Sequence, residues 1–225
     1  MTSCWQMTEP MNTKVKSKVA VPELIEKRRA QIIKAAIDQF GKRGYHVTTI
    51  RDIAKRANVS IGLIYQYVSD KEDVLLLALC EVLDSYHRAI PAALEGVEEP
   101  LARFCTAVRA YCTVNDEKGD ATVLAYRETK SLRKAGRDLI IQKELETNQL
   151  IAACIADCIR AGLFSKIDVE LFTYQIVMFS HAWALKAWRF RKLMTLDQYI
   201  HRGLKLMLGP VLTGEGARVF ARLTP

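Results

Sequence analysis

The chain has 225 residues, 50% of them hydrophobic and 26% charged. That composition excludes a disordered or collagen-like polymer. The formal net charge is +8, and residues 1–73 hold +5 of it, with 13 Lys and Arg against 8 Asp and Glu. A basic N-terminal third precedes a nearly neutral remainder, which permits a polyanionic partner at the front of the chain.

Residues 1–21 have no apolar periodicity and carry Lys14, Lys16 and Lys18. They read as a mobile basic tail, either a solvated end or an arm that follows phosphates. Met1–Pro10 lacks the apolar core of a signal peptide. The longest uncharged run, Leu171–Leu185, is too short and too polar to span a bilayer. A cytoplasmic protein without a membrane partner is expected. Six cysteines, at 4, 80, 105, 112, 154 and 158, form no Cys-x-x-Cys pair and have no nearby His. Free thiols in a reducing compartment are the expectation, with no metal and no cofactor. The sequence has no Ser/His/Asp order and no Gly-rich phosphate loop, so no catalytic residues are assigned.

From Pro22 the pattern is helical. Ile25, Ile32, Ile33, Ala36, Ile37 and Phe40 recur at three- and four-residue steps, and Gly41 and Gly44 are expected to close the helix. Thr48 is the expected cap of a second helix, Thr49 to Arg56, and Asn58 suits a left-handed turn. Ser60 caps a third helix, Ile61 to Tyr67. The run Ser69-Asp70-Lys71-Glu72 reads as a capping box for a fourth. Beyond Pro91, helices are predicted over 100–114, 120–132, 138–161 and 168–192. A last one opens at Thr195-Leu196-Asp197-Gln198 and ends at Gly209-Pro210. No alternating strand is present. The expected fold is all-α with nine or ten helices.

Two short helices joined at Ala57-Asn58-Val59, with Ile50, Ile53, Ala54, Val59 and Ile64 between them, form a helix-turn-helix over residues 49–68. Its second helix would enter a major groove. Gly62 admits close backbone approach, Leu63 suits a thymine methyl, and the Gln66 amide suits a base edge. The hydroxyls of Tyr65 and Tyr67 suit phosphates or bases. Thr49 and Lys71 sit at helix starts that favour phosphate.

The stretch from Glu26 to Leu83 also resembles the DNA-binding domain of the tetracycline-repressor (TetR) family. The matching pieces are Arg29-Ala-Gln-Ile-Ile-Lys-Ala-Ala36, Phe40, Gly44-Tyr45, Thr48-Thr49-Ile50, Asp52-Ile53-Ala54, Ala57-Asn58-Val59-Ser60, Gly62-Leu63-Ile64-Tyr65, Tyr67 and Lys71-Glu72. Asn58 stands where Gly is commoner, and Val68 where Phe is usual. The resemblance implies an N-terminal three-helix DNA-binding domain, here residues 22–86, and a larger helical ligand-binding and dimerisation domain, residues 87–225. It implies a homodimer on a palindromic operator in double-stranded DNA. Thr49, Tyr65, Tyr67 and Lys71 become phosphate contacts, Arg51, Ser60, Gly62, Leu63 and Gln66 lie near bases, and Thr48 is counted with the DNA-binding residues. For Tyr65 the alternative is packing beneath the helix. For Arg51 it is pairing with Asp52 on a solvated face.

The helix at 168–192 is apolar almost all round, so one face is expected to meet a second copy. Phe172, Ile176 and Phe179, with Leu204 and Met207 of the last helix, are the expected dimer residues. Tyr126, Arg127, His181 and Trp183 are the expected ligand contacts in a largely apolar pocket. Surface ion pairing of Arg127 and a satisfied interface role for His181 stay open beside that. The segments 126–132, 183–188 and 196–199 are similar to C-terminal domains of TetR-type regulators of fatty-acid, sterol or aromatic-acid breakdown, some of which answer acyl-CoA thioesters. The basic run Arg127, Lys130, Arg133, Lys134 and Arg137 could meet such a ligand's phosphates. The resemblance therefore implies a repressor released by a small-molecule inducer; a ligand-independent, nucleoid-type DNA binder is the alternative.

Overall fold

A computed structural model describes Val15 and residues 22–223, so the expected tail, with its three lysines and Cys4, lies outside the described residues apart from Val15. Helix α1 (Pro22–Arg43) ends at Gly44, whose φ of 87° only glycine adopts freely. Gly41 lies inside the helix rather than closing it.

The cap of α2 (Ile50–Ala57) is Thr49, one residue later than expected. Its hydroxyl accepts the Asp52 N–H, and the Asp52 carboxylate accepts the Thr49 N–H. Asn58 ends α2 with φ 53°, in the left-handed region. Ser60 caps α3 (Ile61–Tyr67), as its position before the apolar run predicts. The cap of α4 (Lys71–Ala93) is Asp70, which accepts the Asp73 N–H, while Asp73 accepts the N–H of Ser69. Glu72 is therefore not part of the box. Pro91 falls in the last turn of α4 and does not end it, although without an N–H it cannot donate to the His87 carbonyl four residues back.

Helices α5 (Pro100–Glu117) and α6 (Gly119–Glu128) follow, then a 3-10 turn over Thr129–Ser131. Helix α7 (Lys134–Arg160) begins before Asp138 and carries Gly136 in its first turns. Gly136 permits close packing: a Cβ there would lie 3.4 Å from Leu132 and 3.7 Å from Leu76. The helix predicted over 168–192 is two, α8 (Val169–Leu185) and α9 (Ala187–Leu193), broken at Lys186. The break returns Phe190 to Trp183 and Tyr199, with ring centroids 6.3 and 4.9 Å apart. Helix α10 (Leu196–Leu208) opens on the Thr195/Gln198 capping box. The unpredicted α11 (Gly214–Leu223) closes the described residues.

Helices α1, α2 and α3 pack on one another, α1 packs against α4, and α4, α5, α7 and α8 form the larger core. Glu72 meets Arg133, and further along Asp84 meets Lys143, so α7 runs parallel to α4. Helix α6 lies between α1 and α8 and joins the two parts. Among the described residues, no helix is long and apolar enough to cross a membrane. The five described cysteines are free, and four of them are buried. Burial pushes the thiols of Cys80, Cys105 and Cys112 up to about 12 and that of Cys154 to about 11, which makes them poor nucleophiles.

Candidate nucleic-acid interface and effector core

The helix-turn-helix is built on a dry floor. Ile32, Ala36 and Phe40 of α1 meet Ile53, Ala54 and Ala57 of α2 and Ile64 of α3, all buried. Two side chains of α1 pin the C-terminal ends of the motif helices. Gln31 donates to the Ala57 carbonyl at 2.7 Å, and Arg29 to the Tyr67 carbonyl at 3.2 Å. Such bonds satisfy carbonyls that a helix end leaves open, and they fix the angle between α2 and α3.

On this floor α3 presents Ser60, Gly62, Tyr65 and Gln66 to the outside, with Leu63 half-buried at the margin. Ser60 also caps α3 by accepting the Leu63 N–H at 3.1 Å. A Cβ on Gly62 would meet nothing closer than the Ser60 Oγ at 4.0 Å, so the fold does not itself require glycine there. Tyr65 is exposed and does not pack beneath the helix. Arg51 is exposed on the adjacent surface of α2. Its expected partner Asp52 pairs instead with Arg43 at 2.8 Å. The Thr49 hydroxyl, then the Thr49 N–H and Arg43, draw the Asp52 carboxyl down to about 2. Thr49 is exposed and does its capping from the surface.

Three expected DNA contacts are engaged elsewhere. Thr48 is fully buried and donates its hydroxyl to the Gly44 carbonyl at 2.8 Å. Tyr67 is 2% exposed and belongs to the floor. The Lys71 ammonium donates to the carbonyls of Tyr45, His46 and Thr48 at 2.9, 3.1 and 2.9 Å, and lies 4.6 Å from the centre of the Tyr45 ring. Its three protons close the α1–α2 connection. The start of α4 is also acidic, with Asp70 and Glu72 held by Arg133 at 2.8 Å each.

In the larger core, Tyr126 and His181 come together and Arg127 and Trp183 do not. The Tyr126 hydroxyl lies 2.8 Å from His181 Nδ1, and the Tyr111 hydroxyl 3.1 Å from Nε2. Burial draws His181 down to about 4, so its ring is neutral near pH 7. Tyr86 stacks on Tyr111 at 4.1 Å and donates to Asn115 at 2.8 Å. Arg127 instead lines a groove of about 310 Å³ against α1, with Ile37, Phe40 and Glu128. Trp183 is buried and donates its indole N–H to Asp116 at 2.7 Å. Of the basic run, Arg133 holds Asp70 and Glu72, Lys134 pairs with Asp138, and Arg137 donates to the Leu132 carbonyl. No ion pair binds Arg127 or Lys130 among the described residues.

The expected dimer residues are largely consumed by their own protomer. Ile176 and Leu204 are buried. Phe172 packs on Phe104 and Phe164. Phe179 stacks on Tyr199 at 4.6 Å and covers Gly203, and Met207 is half-buried. The apolar side chains these helices leave outside are Leu171, Met178 and Leu206. On α8 no sequence signal separated the two sets, because its pattern is apolar on every side, whereas the four-residue spacing of Ile200, Leu204 and Leu208 marks the buried face of α10.

Two family models match the chain. "Bacterial regulatory proteins, tetR family" covers residues 32–78, and "Tetracyclin repressor-like, C-terminal domain" covers residues 97–184. The HTH-type transcriptional regulator HbdR of Aromatoleum sp. (strain CIB) is 49% identical over 209 residues, spanning 93% of this chain and 91% of that protein. A tetR-family regulatory protein of Rhodococcus RHA1 superposes with a TM-score of 0.73 at 25% identity, over 81% of this chain and 95% of its own. The ketosteroid transcriptional regulator KstR2 of Mycobacterium tuberculosis shares the fold, with a TM-score of 0.69 at 22% identity, over 83% and 95%. These likenesses span both the helix-turn-helix and the larger helical part. The chain belongs to the TetR family of DNA-binding transcriptional regulators and is not an enzyme.

Proposed function

We propose that the chain is a cytoplasmic, homodimeric repressor that binds a palindromic operator and is released by a small-molecule inducer. Residues 22–86 form the DNA-binding domain, and residues 87–225 bind the inducer and the second copy. The observation that carries the DNA reading is the outer face of α3: Gly62 open to the outside and Tyr65 and Gln66 exposed, on a floor that fixes its angle. Arg51, Thr49 and Ser60 extend that surface, with Leu63 at its edge. Thr48, Tyr67 and Lys71 support it from within.

The dimer surface is drawn on α8 and α10 around the exposed Leu171, Met178 and Leu206. Bringing two such faces together about a twofold axis would remove this apolar surface from water. Two recognition helices would then meet half-sites about 34–36 Å apart. The candidate inducer classes are acyl-CoA thioesters, lipids and aromatic acids. The inducer would act by binding one dimer conformation better than the other, and it lowers DNA affinity only by that difference. The joint carrying the change is Arg133 on Asp70 and Glu72, together with α6 against α1.

Selection from random duplexes followed by footprinting tests the reading. A twofold-symmetric footprint, weakened by Tyr65→Ala with the dimer intact on sizing chromatography, is the expected result. Equal binding to all duplexes with a steep salt slope would replace it by a nucleoid-type reading. A thermal-shift panel of acyl-CoAs, free fatty acids, aromatic acids and antibiotics identifies the inducer class, since a ligand of the folded state raises its stability.

A further inference from the structure

The larger core holds one buried polar side chain that nothing around it satisfies. Asn148 of α7 is 5% exposed, and neither its Oδ1 nor its Nδ2 has a hydrogen-bond partner. The other polar side chains buried in this part are engaged. Lys143 pairs with Asp84 at 2.5 Å, and Thr122 and Tyr86 share Asn115. Thr147, Thr173 and Ser180 donate to carbonyls of their own helices, and His181 lies between two tyrosine hydroxyls. Buried polar atoms are nearly always paired, so a wholly unpaired amide marks a place where something else supplies the partner.

Its position agrees. The parallel register of α4 and α7, carried forward from Asp84–Lys143, places Asn148 near the level of Ala89, within a turn of His87. His87 also has a buried Nε2 without a partner. One turn back along α7, Glu144 is close enough to Tyr111 and Tyr126 to shift both. Tyr111 and Tyr126 are in turn bonded to His181, so hydrogen-bonding groups from α5, α6, α7 and α8 gather one turn of α7 away from Asn148.

We infer that Asn148 is a specificity-determining residue that reads an uncharged hydroxyl or carboxamide group on an otherwise apolar effector. This rests on the reading that residues 87–225 bind a small molecule. The charges around the site set the class. The only buried Lys or Arg among the described residues of this part is Lys143, already paired with Asp84. Glu144 is on the same helix, one turn away. A carboxylate would find no unpaired buried cation and a neighbouring carboxyl group. The Asn148 amide offers a donor and an acceptor side by side. A hydroxyl or a carboxamide answers both; a carboxylate answers the donor alone and sets an anionic oxygen against Oδ1.

The test uses the full chain and two matched probe sets: 1-octanol, octanamide and octanoate, and cyclohexylmethanol, cyclohexanecarboxamide and cyclohexanecarboxylate. Thermal shift is measured for wild type and for Asn148→Leu. The expected result is stabilisation of wild type by the alcohol or amide of at least one set, with at least tenfold weaker response to the matching carboxylate. Asn148→Leu should lose that response while melting at or above the wild-type temperature, because it removes an unsatisfied amide from the core. Equal response to the carboxylates, an undiminished response of Asn148→Leu, or no response to any of the six would overturn the inference. So would a lower melting temperature of Asn148→Leu without ligand, the mark of a residue serving the fold alone. A charged inducer found in the broader panel would sink this inference and leave ligand regulation standing.

Discussion

Lys71→Met separates a structural lysine from a DNA-contacting one. Methionine keeps an unbranched stem of similar length and removes three donors, those on the carbonyls of Tyr45, His46 and Thr48. A hydrogen bond from a charged donor contributes about 1.5–3 kcal/mol when shielded. Here the site is partly open, so water would recover much of what three carbonyls lose. The contact over the Tyr45 ring adds about 0.5–1 kcal/mol at such a site. A net loss of about 1–2 kcal/mol is expected, which lowers Tm by roughly 2–8 °C in a chain of this size. Operator affinity should fall with it, because the connection between α1 and α2 loosens. The slope of log affinity against log salt should not change. A lysine on a phosphate gives the opposite pair: an unchanged Tm, and a slope shallower by about 0.9 for each phosphate the variant leaves unneutralised. That outcome in calorimetry and salt-dependent binding would refute the clamp.

Three other outcomes are expected. Gly203→Ala places a Cβ 2.1 Å from the Phe179 ring, which is held by its stack on Tyr199 and by the Tyr199 hydroxyl on the Phe179 carbonyl at 2.7 Å. A loss of about 1–3 kcal/mol is expected in thermal unfolding, and an unchanged Tm would mean that the ring slides aside freely. His181, normally near 6.5, is held at about 4 by burial, so the unfolded chain takes the proton first and stability falls as pH drops from about 6.5 toward 4, by about 3 kcal/mol at most. His181→Gln should flatten that part of the wild-type profile. Glu144, raised by its own burial, acts in the opposite sense and cancels between the two proteins; parallel profiles would contradict the neutral ring. Arg133→Ala should leave Tm nearly unchanged, because the side chain is exposed, yet alter operator affinity several-fold by freeing the start of α4. Unchanged affinity in a binding titration would make the contact passive.

Features decided within a few residues of chain were legible in the sequence itself. Ser60, Thr195 and Asp168 stand at helix starts, and Asn58 takes the left-handed turn, because capping bonds and backbone preference involve neighbours three or four positions away. The spacing of the helix-turn-helix is equally local, and so is the outward position of Tyr65 on a seven-residue helix. The tertiary structure alone decided what each side chain touches. Thr48, Tyr67 and Lys71 carry the same groups as surface contacts, but folding turns two of them inward and spends the third on three carbonyls. Ile176 of α8 became interior while Leu171 stayed outside, because a helix apolar on every side has no preferred face until its neighbours arrive. Arg127 and Tyr126 are adjacent in sequence and point to different places, one to α1 and the other to His181. Asn148 looks like any polar residue of a long helix. Only the packing of the neighbouring helices against α7 leaves its amide buried and unanswered.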